Sequence, residues 1–274
     1  MKNSPDFIYG TAWKEDKTKS LVLLALRKGF LGIDTANQRK HYNESAVGEA
    51  ISEFLSKTNG SRKRLFLQTK FTHIGGQDQR LPYEPDAPVS EQVQQSFVNS
   101  LKHLRRDFID SYILHGPSIG VGLSEEDWKA WAAMESLFDN GKVKALGISN
   151  ISLEQLRLLM KGARIRPKFV QNRCFASRKW DRDIRIFCQK NNLTYQGFSL
   201  LTANHKIVQS SFLKQIAQQY QRTPSQIIFR FAYQLGIIPL TGTSNATHMA
   251  DDLEIRDFSL NEDDIRKIEE NTIY

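Results

Sequence analysis

The chain has little of what usually announces a function class. Its 274 residues include 2 cysteines, Cys174 and Cys188. That is too few for a disulfide framework, neither has a metal-ligand spacing partner, and both read as free thiols in a reducing compartment. No apolar run approaches the ~20 residues that span a bilayer. Met1 to Gly10 carries no apolar signal core, so a cytoplasmic protein without a membrane partner is expected. Lysine and arginine exceed the acids by 38 to 30, a net charge of +8. The basic residues are nonetheless scattered (Arg27–Lys28, Lys57, Arg62–Arg64, Arg105–Arg106, Arg164–Lys168), with no aromatic-interleaved basic stripe. A basic balance can point to nucleic acid, a membrane surface or an anionic small molecule, and the scattered pattern argues against nucleic acid.

What is present is alternation. Strand-like segments at Phe7–Ala12, Leu31–Thr35, Leu65–Lys70, Asp110–His115, Lys144–Ser149, Lys168–Gln171, Thr194–Ser199 and Ile237–Leu240 are separated by helical patterns. Those patterns fall at Asp16–Gly29, Asn43–Thr58, Val89–Arg105, Glu125–Asn140, Ser152–Met160, Trp180–Lys190, Ser210–Leu235 and Thr247–Glu254. Thr223-Pro224 splits the seventh, since proline suits a first helical turn and not an interior. Asn261 caps a last helix to Glu270. Eight β–α pairs without a linker imply one α/β domain over residues 1–274. An open doubly wound sheet and a closed (β/α)₈ TIM barrel both fit the alternation. The turn after strand one, Thr11-Ala12-Trp13-Lys14-Glu15-Asp16, lacks G-x-G-x-x-G, which favours the barrel.

A barrel carries its chemistry at the C-terminal ends of its strands. Asp34, Lys70, His115 and Ser149-Asn150 occupy such ends, and Tyr42 follows strand two across a loop. Hydride addition to a carbonyl makes an alkoxide that needs a proton. A tyrosine can give it, an adjacent lysine lowers the phenol pKa by its charge, a carboxylate holds the lysine, and a histidine orients the carbonyl. Other readings of the same residues stand at this point: Asp34 as a structural cap, Lys70 as a Schiff-base nucleophile, His115 as a satisfied core residue.

These residues sit in segments that resemble the aldo-keto reductase family. The segments are Gly32-Ile-Asp34-Thr-Ala36 with Tyr42-Asn43-Glu44-Ser-Ala-Val47-Gly48-Glu-Ala50, then Leu67-Gln-Thr-Lys70, Asp107-Phe-Ile-Asp110-Ser-Tyr-Ile-Leu-His115, and Gly141-Lys-Val-Lys-Ala-Leu-Gly147-Ile-Ser149-Asn150. They run in the family's order along nearly the whole chain. The resemblance implies a (β/α)₈ barrel that binds NAD(P)H without a Rossmann fold and reduces a small aldehyde or ketone. It makes Asp34, Tyr42, Lys70 and His115 the catalytic tetrad. Ser149, Asn150 and Gln171 become the carboxamide contacts, and Phe198 stacks on the nicotinamide where a tyrosine is usual. Gly10, Thr11 and Ala12 become first-strand cofactor contacts. Ser199, Leu200, Leu201, Thr243 and Ser244 lie near the phosphates, and Gly242, His248, Asp251 and Asp252 complete the cofactor set.

The sequence also departs from the family pattern. Tyr42 directly precedes Asn43-Glu44, so aligning on Asn-Glu alone would put His41 at the acid position. Tyr42 is preferred as the only phenol nearby. Gly242 and His248 fall where a lysine and an arginine often clamp the 2′-phosphate, which weakens NADPH preference and opens NADH or dual use. Gly116 follows His115 where tryptophan is common. The chain ends at Tyr274, soon after its last helix, so a short member without the long C-terminal loop is expected. Trp13, His115 and Gly116 are the expected substrate contacts of a wide pocket. A monomer or weak oligomer is expected, with a catalytically weak, cofactor-sensing or partner-binding barrel as the alternative function.

Overall fold

A computed structural model describes residues 5–58 and 65–271. The basic cluster at 62–64 and the chain end at 274 lie outside the described residues. The strands are β1 (Ile8–Gly10), β2 (Gly32–Asp34), β3 (Phe66–Phe71), β4 (Ser111–Leu114), β5 (Leu146–Ser149), β6 (Phe169–Arg173), β7 (Thr194–Phe198) and β8 (Ile238–Thr241). Each pairs in parallel with its neighbour and β8 returns to β1, a closed barrel. This is the (β/α)₈ arrangement that the turn without G-x-G-x-x-G favours over an open sheet.

Side chains alternate between lumen and helices along each strand, with the period of two that strand geometry imposes. In the lumen, Ile8, Phe66, Ile113, Phe169 and Leu240 form one apolar plug. The opposite faces join the helices in a larger core that includes Leu67, Tyr112, Ile148, Val170 and Tyr195. The helices are α1 (Thr18–Lys28), α2 (Glu44–Thr58), α3 (Val89–Leu104), α4 (Glu125–Asp139), α5 (Leu153–Gly162), α6 (Arg182–Lys190), α7 (His205–Gln209), α8 (Ser211–Gln219), α9 (Pro224–Gln234), α10 (Ala246–Leu253) and α11 (Glu262–Glu270).

Local chemistry sets many of these boundaries. Gly29 ends α1 in the left-handed region at φ 111°. Capping boxes open α4 at Ser124, α5 at Ser152 and α9 at Thr223, where Pro224 takes the first position. Two expectations shift. The helix expected from Trp180 starts at Arg182, because Lys179, Trp180 and Asp181 adopt left-handed backbone that sequence does not foretell. The short helix α7 precedes α8 in a stretch that carries no assigned element in the sequence pattern.

Gly48 explains part of its motif. A Cβ there would stand 2.0 Å from the His103 carbonyl oxygen and 2.8 Å from Leu104 Cα, so α2 and α3 touch only because residue 48 has no side chain. Gly48→Ala should therefore cost about 1–3 kcal/mol by overpacking and lower the midpoint of a thermal melt by several degrees. An unchanged melt would show that the two helices do not meet there.

Candidate active site

The polar group of the site begins where β2 ends. Asp34 and Lys70 both point into the lumen and are 3% and 1% exposed. Lys70 Nζ donates to Asp34 Oδ2 at 2.6 Å and to the Thr35 carbonyl at 2.8 Å. A buried ammonium and carboxylate survive only as such a hydrogen-bonded pair. The next outward residue of β3, Thr69, donates to Glu44 Oε1 at 2.5 Å, and His103 Nδ1 lies 3.2 Å from Glu44 Oε2. Glu44 thus ties the first turn of α2 to β3 and α3. Asn43 caps that helix by accepting from Ala46 N at 3.1 Å. The Tyr42-Asn43-Glu44 run is a clamp that fixes the loop just before α2, and Tyr42 N closes the loop on the Gln38 carbonyl at 3.0 Å.

That clamp brings the Tyr42 ring centroid to 5.2 Å from Lys70 Nζ and 6.0 Å from the His115 ring. His41 goes elsewhere. Its ring lies on Trp13 with centroids 3.8 Å apart, and its Nδ1 meets Gln38 Oε1 at 2.8 Å. His115 Nδ1 shares a 2.7 Å hydrogen bond with Thr72 Oγ1, which leaves Nε2 as the ring's second polar atom.

The electrostatics correct one expectation. Lys70 does not leave Tyr42 acidic. Burial, reinforced by the Asp34 charge, pushes the Tyr42 phenol well above the usual tyrosine range. Asp34 balances the ammonium, and the cost of desolvating a phenolate outweighs what attraction remains. Burial also draws Lys70 below its ordinary value against the pull of Asp34 and Glu44. His115 is pushed down to about 3 by burial and by the Lys70 charge, so its imidazole is neutral at ordinary pH.

These groups open into one cleft of about 1770 Å³ that runs to α10. Among the sequence candidates, Gly10, Ala12, Trp13, Gly116, Ser149, Asn150, Gln171, Phe198, Ser199, Leu200, Leu201, Gly242, Thr243, His248, Asp251 and Asp252 line it with Asp34, Tyr42 and His115. Three candidates do not. Thr11 is fully buried and donates to the Asp34 carbonyl at 3.0 Å, which makes it a brace for β2. Ser244 is exposed and outside the cleft lining. Lys70 also sits beneath the lining, behind Tyr42 and Asp34. Ser149 Oγ donates to the Gln171 carbonyl at 2.6 Å, and Asn150 Nδ2 reaches the His115 carbonyl at 2.8 Å. Asn150 and Ser199 hold left-handed backbone, at φ 52° and 56°, on the rim of the cleft; such outliers cluster at functional sites. At the α10 end, Asp252 Oδ2 is buried with no hydrogen-bond partner, and burial raises that carboxyl to about 7.

Comparison with known proteins gives this geometry its family. The Aldo/keto reductase family model matches residues 7–273. The chain belongs to the aldo/keto reductase family. It is 30% identical to the uncharacterized oxidoreductase YtbE of Bacillus subtilis, over 90% of this chain and 81% of that protein. It is 28% identical to an NADPH-dependent alpha-keto amide reductase of Saccharomyces cerevisiae, over 95% of this chain and 84% of that protein. A solved aldo-keto reductase from a Medee basin deep-sea metagenome library superposes with a TM-score of 0.84 at 26% identity, covering 98% of this chain and 92% of that one.

Several residues of this aldo/keto reductase's site gave no sequence signal of their own. Lys14, just past β1, lies beside the end of the neighbouring β8, where its half-buried ammonium donates to the Gly242 carbonyl. It therefore sets a positive charge beside the glycine that interrupts the expected phosphate clamp. Gln68 and Gln196 sit on lumen-facing positions of β3 and β7, each fully buried; Gln68 falls within the family-like Leu67-Gln-Thr-Lys70 segment, and neither carries a role there. No helix among the described residues is long and apolar enough to cross a membrane.

The neutral imidazole is directly measurable. In a proton NMR titration, the His115 ring should show no inflection between pH 8 and 5, because protonation would put a second buried positive charge beside Lys70. An inflection near the ordinary value of ~6.5 would contradict the electrostatics.

Proposed function

We propose that this aldo/keto reductase reduces small aldehydes and ketones with a nicotinamide dinucleotide, and that Tyr42 is its proton donor. The observation that carries the reading is the convergence of the Tyr42 ring, the Lys70 ammonium and the His115 ring, 5.2 and 6.0 Å from Tyr42, in a single long cleft. A donor must carry its proton when the carbonyl arrives, and a phenol held above its ordinary pKa does so throughout the physiological range. The acid is therefore loaded in the free protein. Lys70 then acts as the counter-charge that favours the phenolate left behind, an interaction worth more in the closed, desolvated site than in the open one. Asp34 keeps Lys70 in place. His115, neutral and tied to Thr72 through Nδ1, offers Nε2 to the carbonyl oxygen and orients it toward Tyr42.

The residues present fit the coenzyme. Phe198 offers an aromatic face, Gln171 and the Ser149–Asn150 pair a polar edge, Lys14 a cation, and Asp252 a buried carboxyl whose Oδ2 is free, at the α10 end. A bound dinucleotide supplies the hydride that the carbonyl carbon accepts. Around Gly242, the described residues offer a 2′-phosphate only Lys14, already donating to a carbonyl, and the exposed His248, while Asp251 and Asp252 line the same end. NADPH should serve as coenzyme, with NADH accepted as well. Trp13, 68% exposed and in tilted contact with the His41 ring, and Gly116 border an open substrate end suited to varied carbonyls.

Two outcomes test this. Tyr42→Phe should lower NADPH-dependent aldehyde turnover by about 10²–10⁴-fold while leaving coenzyme quenching of tryptophan fluorescence intact; full turnover in that variant removes Tyr42 from the role. The kcat/KM values for NADPH and NADH should differ by less than about tenfold, equivalent to ~1.4 kcal/mol. A preference of a thousandfold for NADPH would mean that a phosphate clamp exists around Gly242 after all.

A further inference from the structure

An amide stripped of its hydrogen bonds inside a protein costs about 1–3 kcal/mol. Three glutamines nevertheless share the lumen directly above the apolar plug. Gln68 and Gln196 are fully buried, and Gln171 is 3% exposed. The ladder explains their proximity, for Asp34 is in register with Gln68, and Gln171 with Gln196.

Their hydrogen bonds form a closed ring. Gln68 Nε2 donates to Asp34 Oδ1 at 2.7 Å and to Gln196 Oε1 at 2.9 Å. Gln171 Nε2 donates to the same two oxygens, at 3.1 and 3.0 Å. Gln196 Nε2 returns a bond to Gln68 Oε1 at 3.0 Å. An ionised carboxylate only accepts. Neither Gln68 nor Gln171 can turn its oxygen toward Asp34 without setting two acceptors face to face. Gln196 must then present its oxygen to the remaining hydrogens of both. One charge therefore fixes three amide orientations. In that arrangement both hydrogens of Gln171 Nε2 are used below, and Oε1 is the atom of this cleft-lining residue with no partner among the described residues.

We propose that Gln68 and Gln196, neither of which lines the cleft, are positioning residues. They keep Asp34 turned toward Lys70 and lock Gln171 with its carbonyl oxygen toward the cleft, as an acceptor for the coenzyme carboxamide. The proton-delivering group and the coenzyme-orienting group are thus set by one network. The inference rests on the reductase reading above.

The test replaces the reciprocal pair by apolar residues of similar length, Gln68→Met with Gln196→Met. Removing both members of the reciprocal pair leaves no orphan between residues 68 and 196, and Asp34 keeps Lys70 and Gln171 as donors, so the fold should survive with some loss of stability; what is lost is one donor to Asp34 Oδ1 and one acceptor for Gln171 Nε2. We expect a Kd for NADPH, read by tryptophan fluorescence, about tenfold weaker, the equivalent of one lost hydrogen bond. The KM for coenzyme should rise in parallel, with the aldehyde KM within twofold of wild type and a thermal melt within a few degrees. A folded variant that binds NADPH within twofold of wild type overturns the inference. Should the double variant not fold, Gln196→Met alone is read by the same criteria. Hydrogen exchange of the side-chain amides in wild-type protein labelled with ¹⁵N-glutamine needs no substitution. Protected amides are expected at residues 68, 171 and 196, and unprotected exchange at residue 171 overturns the locked orientation. Wild-type protein that neither binds NADPH nor turns it over would instead defeat the reductase reading itself.

Discussion

Asp34 is an ionised carboxylate in the lumen of a barrel, where an uncompensated charge would cost several kcal/mol. Everything polar around it follows from that constraint. Oδ2 takes the Lys70 ammonium, and Oδ1 takes amide hydrogens from Gln68 and Gln171. The apolar plug of Ile8, Phe66, Ile113, Phe169 and Leu240 closes the barrel below and keeps water from relieving the charge from that side. The scaffold thus trades some stability for a lysine and three amides whose orientations have no alternative.

The same balance sets the chemistry above it. Because Asp34 neutralises Lys70, the free site does not strip the proton from Tyr42; burial holds it there. His115, buried and facing the Lys70 charge, stays neutral. A loaded phenol, a neutral imidazole and a fixed ammonium form a resting state suited to giving one proton to a developing alkoxide. In the proposed reaction the pull of Lys70 on the phenol belongs to the transition state, not to the free protein.

Much of this was legible in the sequence, and the gaps have physical causes. Strand periodicity, the Thr223-Pro224 break and the Gly29 stop are local signals, and the elements they mark formed as expected. Asp34, Tyr42, Lys70 and His115 were picked out by their places after strands and by their family-like segments, and the fold brings them together. The sign of the Tyr42 shift was misjudged because burial and the opposing Asp34 charge are three-dimensional quantities. Thr11 looked like a cleft residue because it adjoins one, whereas its hydroxyl turns away to the β2 backbone. Lys14 depends on a contact 228 positions away in sequence. Gln68 and Gln196 meet across the barrel, 128 positions apart, and only closure of the eighth strand on the first makes them neighbours.

The charge at residue 34 organises the site, and Asp34→Asn removes it with almost no change of shape. In that variant Lys70 loses its counter-ion, and an amide replaces the acceptor that orders the glutamines. Carbonyl-dependent NADPH oxidation, followed at 340 nm in protein shown by circular dichroism to be folded, should fall by two orders of magnitude or more (~2.7 kcal/mol in the barrier). Turnover within threefold of wild type would contradict the claim that this carboxylate organises the site.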